Sequence, residues 1–225
     1  MPLYNNGEFV TSLNLNGVAQ DVFYLDGVKI FDASDSPPLP PLPIIYNSDF
    51  STGIGDWVIY DSTGTNIGAA SHEVANEQLI QPPGNVTLRL DDLFTGLTKW
   101  KLTVNANHPI SVGTISFWLG TYPTSIFSIG TSLVGIYRSS GQSRIYNNSQ
   151  HLFFPEDLPY QSSATPHEMV LGYDGTEMYF TYDGEEIHRV VTTLRDGVTN
   201  GGISLRLGYG GVTDCYVESV TLRGE

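Results

Sequence analysis

Residues 34–43, SDSPPLPPLP, constrain this chain more than any other stretch, because they hold Pro37, Pro38, Pro40, Pro41 and Pro43, five of its 13 prolines. Proline fixes φ and has no amide hydrogen to donate, so the run can be neither helix nor central strand. It predicts an extended polyproline II spacer rising about 3.1 Å per residue. No basic residue flanks it, so a spacer suits it better than a docking ligand for an SH3-like groove. The chain is thereby divided into a small module, residues 1–33, and a large one, residues 44–225.

The large module has enough apolar sequence for a full core, since 40% of the 225 residues are hydrophobic. Its many glycines and few charges suit short strands and tight turns. Acidic residues number 24 against 10 basic, a formal charge of −14. Phosphate backbones and anionic lipid surfaces are bound by clustered Lys and Arg, so this balance excludes nucleic acid and argues against a membrane partner. Cys215 has no second cysteine to pair with, which rules out an intrachain disulfide or a multi-cysteine metal site. No membrane-length apolar run occurs, and MPLYNNGEFV lacks the basic and apolar regions of a signal peptide. The expectation is synthesis in a cytosol.

The small module repeats with a period of ten, LNLNGV at 13–18 and FYLDGV at 23–28. Asn16-Gly17 and Asp26-Gly27 are the dipeptides that two-residue type I′ turns require. They predict a three-stranded meander in which Leu15 faces Val18 and Leu25 faces Val28. The adjacent apolar pair Val22 and Phe23 breaks strict alternation and predicts either a bulge or burial on both faces. About 33 residues without a disulfide lie below the size that stabilises itself, so another surface must cover this sheet. Leu13, Leu15, Phe23, Leu25 and Ile30 are the expected anchoring residues. A homo-oligomer, with a trimer as a natural form, or a larger assembly would supply the cover. LNLNGVAQDVFYLDGVKIFDA resembles the small hairpin segments near the ends of tailed-bacteriophage structural proteins, where such pieces act as attachment modules. That resemblance implies other virion proteins as partners and a virion assembled in a host cytoplasm as the location.

The large module shows no useful 3.6-residue periodicity; alternating segments punctuated by turn signals predict an all-β sandwich. In 97–106, alternation puts Trp100, Leu102, Val104 and Ala106 inside and Lys99, Lys101, Thr103 and Asn105 outside. The tripeptide Tyr-Asp-Gly occurs at 173–175 and at 182–184. Two-residue turns at each predict a meander with Leu171 opposite Met178, Met169 opposite Phe180, and Ile187 against Phe180. Several stretches resemble concanavalin-like and carbohydrate-binding-module jelly rolls. Asn47, Phe50, Gly55 and Trp57 match an entry strand of the form N-x-x-F then G-x-W. LRLDDLFTGLTKWKLTVNA is similar to a characteristic strand pair of those modules, with Trp100 in place of a tyrosine. The segment 167–187 and the closing CYVESVTL resemble the meander and last strand. The expected fold class is therefore all-β, a small N-terminal β-meander, a proline-rich linker and a C-terminal jelly-roll β-sandwich.

Hydrolysis of a glycosidic bond calls for two carboxylates flanking it. Concanavalin-type glucanases carry theirs as E-x-D-x-x-E, which is absent, and the neighbouring pairs Asp91/Asp92, Glu156/Asp157 and Glu185/Glu186 read as solvated. His72, His108, His151, His167 and His188 lack metal-ligand spacing, and no nucleophile elbow is present. The expectation is that the chain is no enzyme and has no cofactor, a structural calcium excepted. The resemblance implies a calcium site at Glu218 in the last strand and at a residue after Phe50. Ser51 stands there, leaving Asp49 and Asp56 as substitutes.

Sugar binding needs aromatic faces for pyranose C–H groups and polar groups for hydroxyls. Alternation in GTISFWLGT, LVGIYR, SRIYNN and ISLRL turns Trp118, Tyr137, Arg144, Tyr146 and Arg206 away from the core. They are the candidate carbohydrate-binding residues. The chain thus reads as a phage virion component whose lectin-like domain binds host-surface glycans. A capsid decoration or tail protein without sugar binding is the alternative, and a polysaccharide-degrading enzyme the third reading.

Overall fold

The computed structural model describes strands at 4–5, 8–9, 13–15, 18–20, 22–25 and 28–32, then residues 41–61, 63–69, 71–73, 77–80, 86–107, 115–120, 133–139, 142–147, 150–154, 166–192, 198–207 and 216–225. The chain divides into two compact units, Met1–Pro41 and Leu42–Glu225. All secondary structure among the described residues is strand. Most of the proline run, residues 33–40, lies outside the described residues. Its last members belong to the larger unit, where the Leu42 carbonyl accepts a bond from the Arg223 guanidinium at 3.0 Å. The Pro43 carbonyl accepts another from Gly224 N–H at 3.0 Å.

The small unit holds β1 (Tyr4–Asn5), β2 (Glu8–Phe9), β3 (Leu13–Leu15), β4 (Val18–Gln20), β5 (Val22–Leu25) and β6 (Val28–Asp32). Leu15 pairs with Val18 and Leu25 with Val28, as the turn dipeptides predict. The register shifts between Phe23 and Tyr24, so of the two readings of the broken alternation the bulge is the one that forms. Asn5 pairs with Glu8 in the same way, so Asn6-Gly7 extends the ten-residue period to three hairpins. The predicted meander does not form: each hairpin is its own two-stranded sheet. A three-stranded meander needs 18–25 to run as one strand shared by both hairpins, whereas β4 stops at Gln20 and β5 begins at Val22. The side chains of Leu13, Leu15, Phe23, Leu25 and Ile30 lie outside the described residues.

In the larger unit the strands are β7 (Ile44–Ser48), β8 (Val58–Tyr60), β9 (Asn66–Ala69), β10 (Ser71–Glu73), β11 (Gln78–Ile80), β12 (Thr87–Leu97), β13 (Trp100–Asn107) and β14 (Ile115–Gly120). They continue with β15 (Leu133–Ser139), β16 (Gln142–Asn147), β17 (Gln150–Phe154), β18 (His167–Tyr173), β19 (Glu177–Tyr182), β20 (Glu185–Val191), β21 (Val198–Leu207) and β22 (Tyr216–Gly224). Two eight-stranded antiparallel sheets result. The first runs β10-β11-β22-β13-β18-β19-β20, with β7 also on β22, and the second runs β17-β16-β15-β14-β21-β12-β8-β9. Non-sequential neighbours such as β13 beside β22 mark the jelly-roll crossovers.

Alternation builds the core between the sheets. Trp100, Leu102, Val104 and Ala106 of β13 are fully buried, as their parity predicts, while Lys101 is exposed. Phe117 of the second sheet meets Phe180 of the first with ring centroids 6.2 Å apart. The entry motif closes one end. Phe50 adopts φ of 58° with its amide bonded to the Ser48 hydroxyl at 3.1 Å. That turn folds Phe50 and Trp57 into the core, where the Trp57 indole donates to the Tyr46 hydroxyl at 2.8 Å. Burying both rings offsets the cost of a left-handed non-glycine residue.

The two Tyr-Asp-Gly turns differ. At 182–184 the loop has two residues, with Tyr182 paired to Glu185 and φ positive at Asp183 and Gly184. At 173–175 Tyr173 pairs with Met178, so the loop has four residues and Leu171 faces Phe180, not Met178. Asp174 Oδ1 accepts the amides of Thr176 and Glu177 at 2.9 and 2.8 Å, an Asx turn that holds the wider loop. The shift of two preserves the apolar face. A bulge between Phe180 and Thr181 places His188 opposite Phe180, with Ile187 packed beside the core in place of the predicted direct pair.

Candidate functional site

The second sheet has one face in the core and one turned away from it. β14 sends Phe117 and Leu119 inward, β21 Ile203 and Leu205, and β12 Leu88 and Leu90. The alternate residues Ser116, Trp118, Ser204, Arg206, Thr87 and Arg89 therefore share the outward face. The register aligns them in two adjacent rungs. One runs His151, Tyr146, Gly135, Trp118, Ser204, Arg89 and Val58. In the other, Phe153, Arg144, Tyr137, Ser116 and Arg206 are successive partners, and Thr87 pairs with Tyr60.

All five predicted carbohydrate-binding residues thus occupy neighbouring positions on one sheet. Tyr137, Arg144 and Tyr146 are placed by register, their side chains being outside the described residues. Trp118 and Arg206 were expected to face solvent, and this is corrected: they are 5% and 7% exposed. Their parity is right, since Trp118 is absent from the apolar cluster between the sheets. Alternation fixes which face a side chain takes and carries no information on what covers that face. Thr87, Arg89, Ser116 and Ser204 are buried with them.

A cluster that sequence reading missed adjoins these rungs. The Arg89 guanidinium carbon lies 3.9 Å from the centroid of the Tyr60 ring. Its Nε and Nη2 donate to Asp91 Oδ1 at 3.1 and 2.6 Å. The Tyr60 hydroxyl donates to Asp91 Oδ2 at 3.0 Å. Burial, then the neighbouring Asp91 carboxylate, raises the Tyr60 phenol above its ordinary pKa, so it stays a donor at neutral pH. A bulge in β12 between Leu90 and Phe94, with Asp92 at φ of 54°, follows this cluster. It crosses β21 so closely that a Cβ at Gly202 would overlap the Leu90 carbonyl oxygen. Asp91 is therefore an ion-pair partner, and its reading as merely solvated is corrected. So is that of Glu186, bonded to Arg189 at 2.6 and 3.0 Å. Glu156 and Asp157 lie outside the described residues.

The metal candidates are not brought together. Asp49 Oδ1 accepts both the amide and hydroxyl of Ser51, at 3.0 and 2.7 Å, and those bonds hold its carboxyl below the usual range. Asp56 is exposed and Glu218 half-buried on β22. Among the described residues no three His, Cys, Asp or Glu side chains could hold a metal ion. Asp49, Asp56 and Glu218 therefore do not form a metal group of three carboxylates among the described residues. His167, read in the sequence only for metal spacing, is nearly buried, with Nδ1 2.7 Å from Asp183 Oδ2 and its ring stacked on Tyr182 at 5.0 Å.

No family model matches the sequence, and no curated protein does. Solved structures match by shape. A Bacillus licheniformis β-glucanase, 16% identical, covers 81% of this chain and 99% of its own with a TM-score of 0.54. A Bacillus subtilis protein of unknown function with a galectin-like fold, 11% identical, covers 82% and 97% with a TM-score of 0.59. The calcium-bound exoplasmic/lumenal domain of VIP36, 14% identical, covers 80% and 90% with a TM-score of 0.53. The larger unit therefore has the jelly-roll sandwich of concanavalin- and galectin-like proteins. The expectation that the chain is no enzyme is corrected by these neighbours: its fold is one that glucanases use. Lack of a single catalytic motif tests one arrangement of carboxylates and does not exclude the class.

Proposed function

We infer that the larger unit is a glycan-recognition sandwich whose site is the outward face of the second sheet. One observation carries this: a layer containing two arginines, three hydroxyls and a tryptophan is buried on the side away from the apolar core. Burying such groups costs free energy that apolar residues would not, so their retention fits a site better than a second core. Trp118 is the kind of ring that packs on pyranose C–H groups, and Ser116, Ser204 and the arginines are the kind of donors that meet hydroxyls; each is at most 9% exposed, so a sugar reaches them only where this face opens.

The finer reading is a tailed-phage virion component, with the small unit as attachment module and many displayed copies multiplying weak single sites. Its support is the hairpin resemblance in the sequence. A chain lacking residues 1–33 is expected to be left out of particles, and its normal incorporation would sink the attachment role. A decoration protein without sugar binding is the competing outcome.

The test of the site is a glycan array probed with the full chain, multimerised on beads, beside Trp118→Phe, which keeps most of the buried volume. A reproducible hit weakened at least fivefold by Trp118→Phe at unchanged melting temperature supports recognition at this face. A negative array with folded protein overturns it. The second reading, hydrolysis, is favoured by the glucanase fold, and release of reducing ends from β-glucan would establish it.

A further inference from the structure

We propose that the small unit is an assembly element, in which hairpins of one chain pair edge to edge with hairpins of further copies of the same chain. This stands apart from the glycan reading of the larger unit. β1–β2, β3–β4 and β5–β6 are three separate two-stranded sheets, so among the described residues each of these six strands has a neighbour on one side only. A two-stranded hairpin is marginal in water by itself, and an open edge is a template for another strand. An eight-stranded sheet of the larger unit can leave its edges open because an apolar core holds it. Residues 1–33 are too few to build such a core, yet 17 of them are hydrophobic, a higher share than the 40% of the whole chain. A unit of this size is stabilised by disulfides, a metal or oligomerisation. Residues 1–33 hold neither cysteine nor histidine, which leaves oligomerisation.

Register identifies the groups that do the pairing. A two-residue turn closes with a bond between the residues flanking it, and antiparallel pairs then alternate between bonded and non-bonded. Leu15 with Val18 and Leu25 with Val28 flank the turns, so their amides are used inside the hairpins. The next pairs, Asn14 with Ala19 and Tyr24 with Lys29, turn their amides and carbonyls outward. β3, β4 and β5 lack the charges and prolines that keep a solitary edge from pairing. The repeat favours a second copy as the occupant. Asn6-Gly7, Asn16-Gly17 and Asp26-Gly27 recur every ten residues, so a copy aligned at one hairpin is aligned at all three. Each pairing then raises the effective concentration for the next, a gain that a strand without the period does not have.

The experiment is sedimentation equilibrium of the full chain at micromolar concentration, with amide hydrogen exchange on the same sample. The expected result is a mass of two or more chains, with slow exchange at the outward amides of Asn14, Ala19, Tyr24 and Lys29, which a lone hairpin would leave to solvent. Ala19→Pro removes one outward amide and keeps the bond that closes the turn, so it is expected to weaken assembly about tenfold or more. Ala19→Val keeps the amide and is expected to keep the assembly. Should Ala19→Pro disturb its own hairpin, Asn14→Pro on the opposite edge and exchange in the unsubstituted chain read the same contact. A single-chain mass overturns the proposal and leaves a strand of another protein as the occupant. An oligomer whose outward amides exchange freely, or that Ala19→Pro leaves intact, overturns it as well and assigns the contact to side-chain faces or to the larger unit.

Discussion

Both sheets of the sandwich turn a largely polar face away from the core, and the two faces are built differently. On the first sheet one rung runs Arg223, Lys101, Gly172, Tyr179 and Arg189. Lys101 and Arg189 are exposed, and Arg189 is shared among Asp174, Glu177 and Glu186 at 3.3, 3.1 and 2.6 Å. Carboxylates open to solvent satisfy Arg189 on that face. On the second sheet Arg206, Arg89 and three hydroxyls are nearly shielded from solvent. The same polar alphabet is inexpensive on one face and costly on the other, because an arginine in water keeps its hydration and a buried one depends on fixed partners. The proposed assignment of the site to the second face rests on this difference.

An identical substitution on the two faces tests this. Arg206→Gln removes a buried guanidinium and disturbs the groups arranged around it, and should cost about 2 kcal/mol of folding stability. Urea titration of the full chain reads this as a clear fall in the midpoint at unchanged slope. A cost near zero would mean that Arg206 is hydrated as Arg189 is, and the contrast between the faces would disappear.

The same contrast shows how far sequence reading reached. Period-two alternation found Trp100 in the core and Trp118 on the opposite face, because side-chain direction in a strand is a local property. It missed the burial of Trp118 and Arg206, since coverage of a face is set by chain remote in sequence. Turn chemistry shows the same boundary. Tyr-Asp-Gly at 182–184 and at 173–175 are identical tripeptides with different loops. Asp174 caps amides within its own turn, whereas Asp183 bonds His167 and the Glu168 amide, sixteen and fifteen residues away. No local pattern distinguishes them. The Tyr60–Arg89–Asp91 cluster had a partial signal, the i, i+2 pair of opposite charges in β12; Tyr60 arrives from another strand. Function was less legible than fold, because the sandwich serves a β-glucanase and the calcium-bound VIP36 domain alike.

The smallest expected effect sharpens the comparison from the other side. Arg189→Gln on the first sheet should cost only about 0.5 kcal/mol at neutral pH, since an exposed network is screened and held loosely. Its pH dependence has a definite sign. The bonds from Arg189 hold the Glu186 carboxyl below its ordinary pKa. At Asp174 burial pulls upward, but the Glu177 and Thr176 amides and then Arg189 outweigh it, and the net shift is downward. A carboxyl depressed in the folded state contributes its stabilisation above the unfolded pKa, about 4 for these groups, and loses it as the pH falls through the folded value. The gap in urea midpoint between the native chain and Arg189→Gln should therefore be present at pH 7 and nearly closed at pH 2.5. A gap that persists in acid would assign the contribution to the Arg189 guanidinium stacked 4.9 Å from the Tyr179 ring centroid. That ring in turn lies against Gly172, where a Cβ would overlap it. The first sheet would then also hold its arginine by fixed contacts, and exposure alone would no longer separate the two faces.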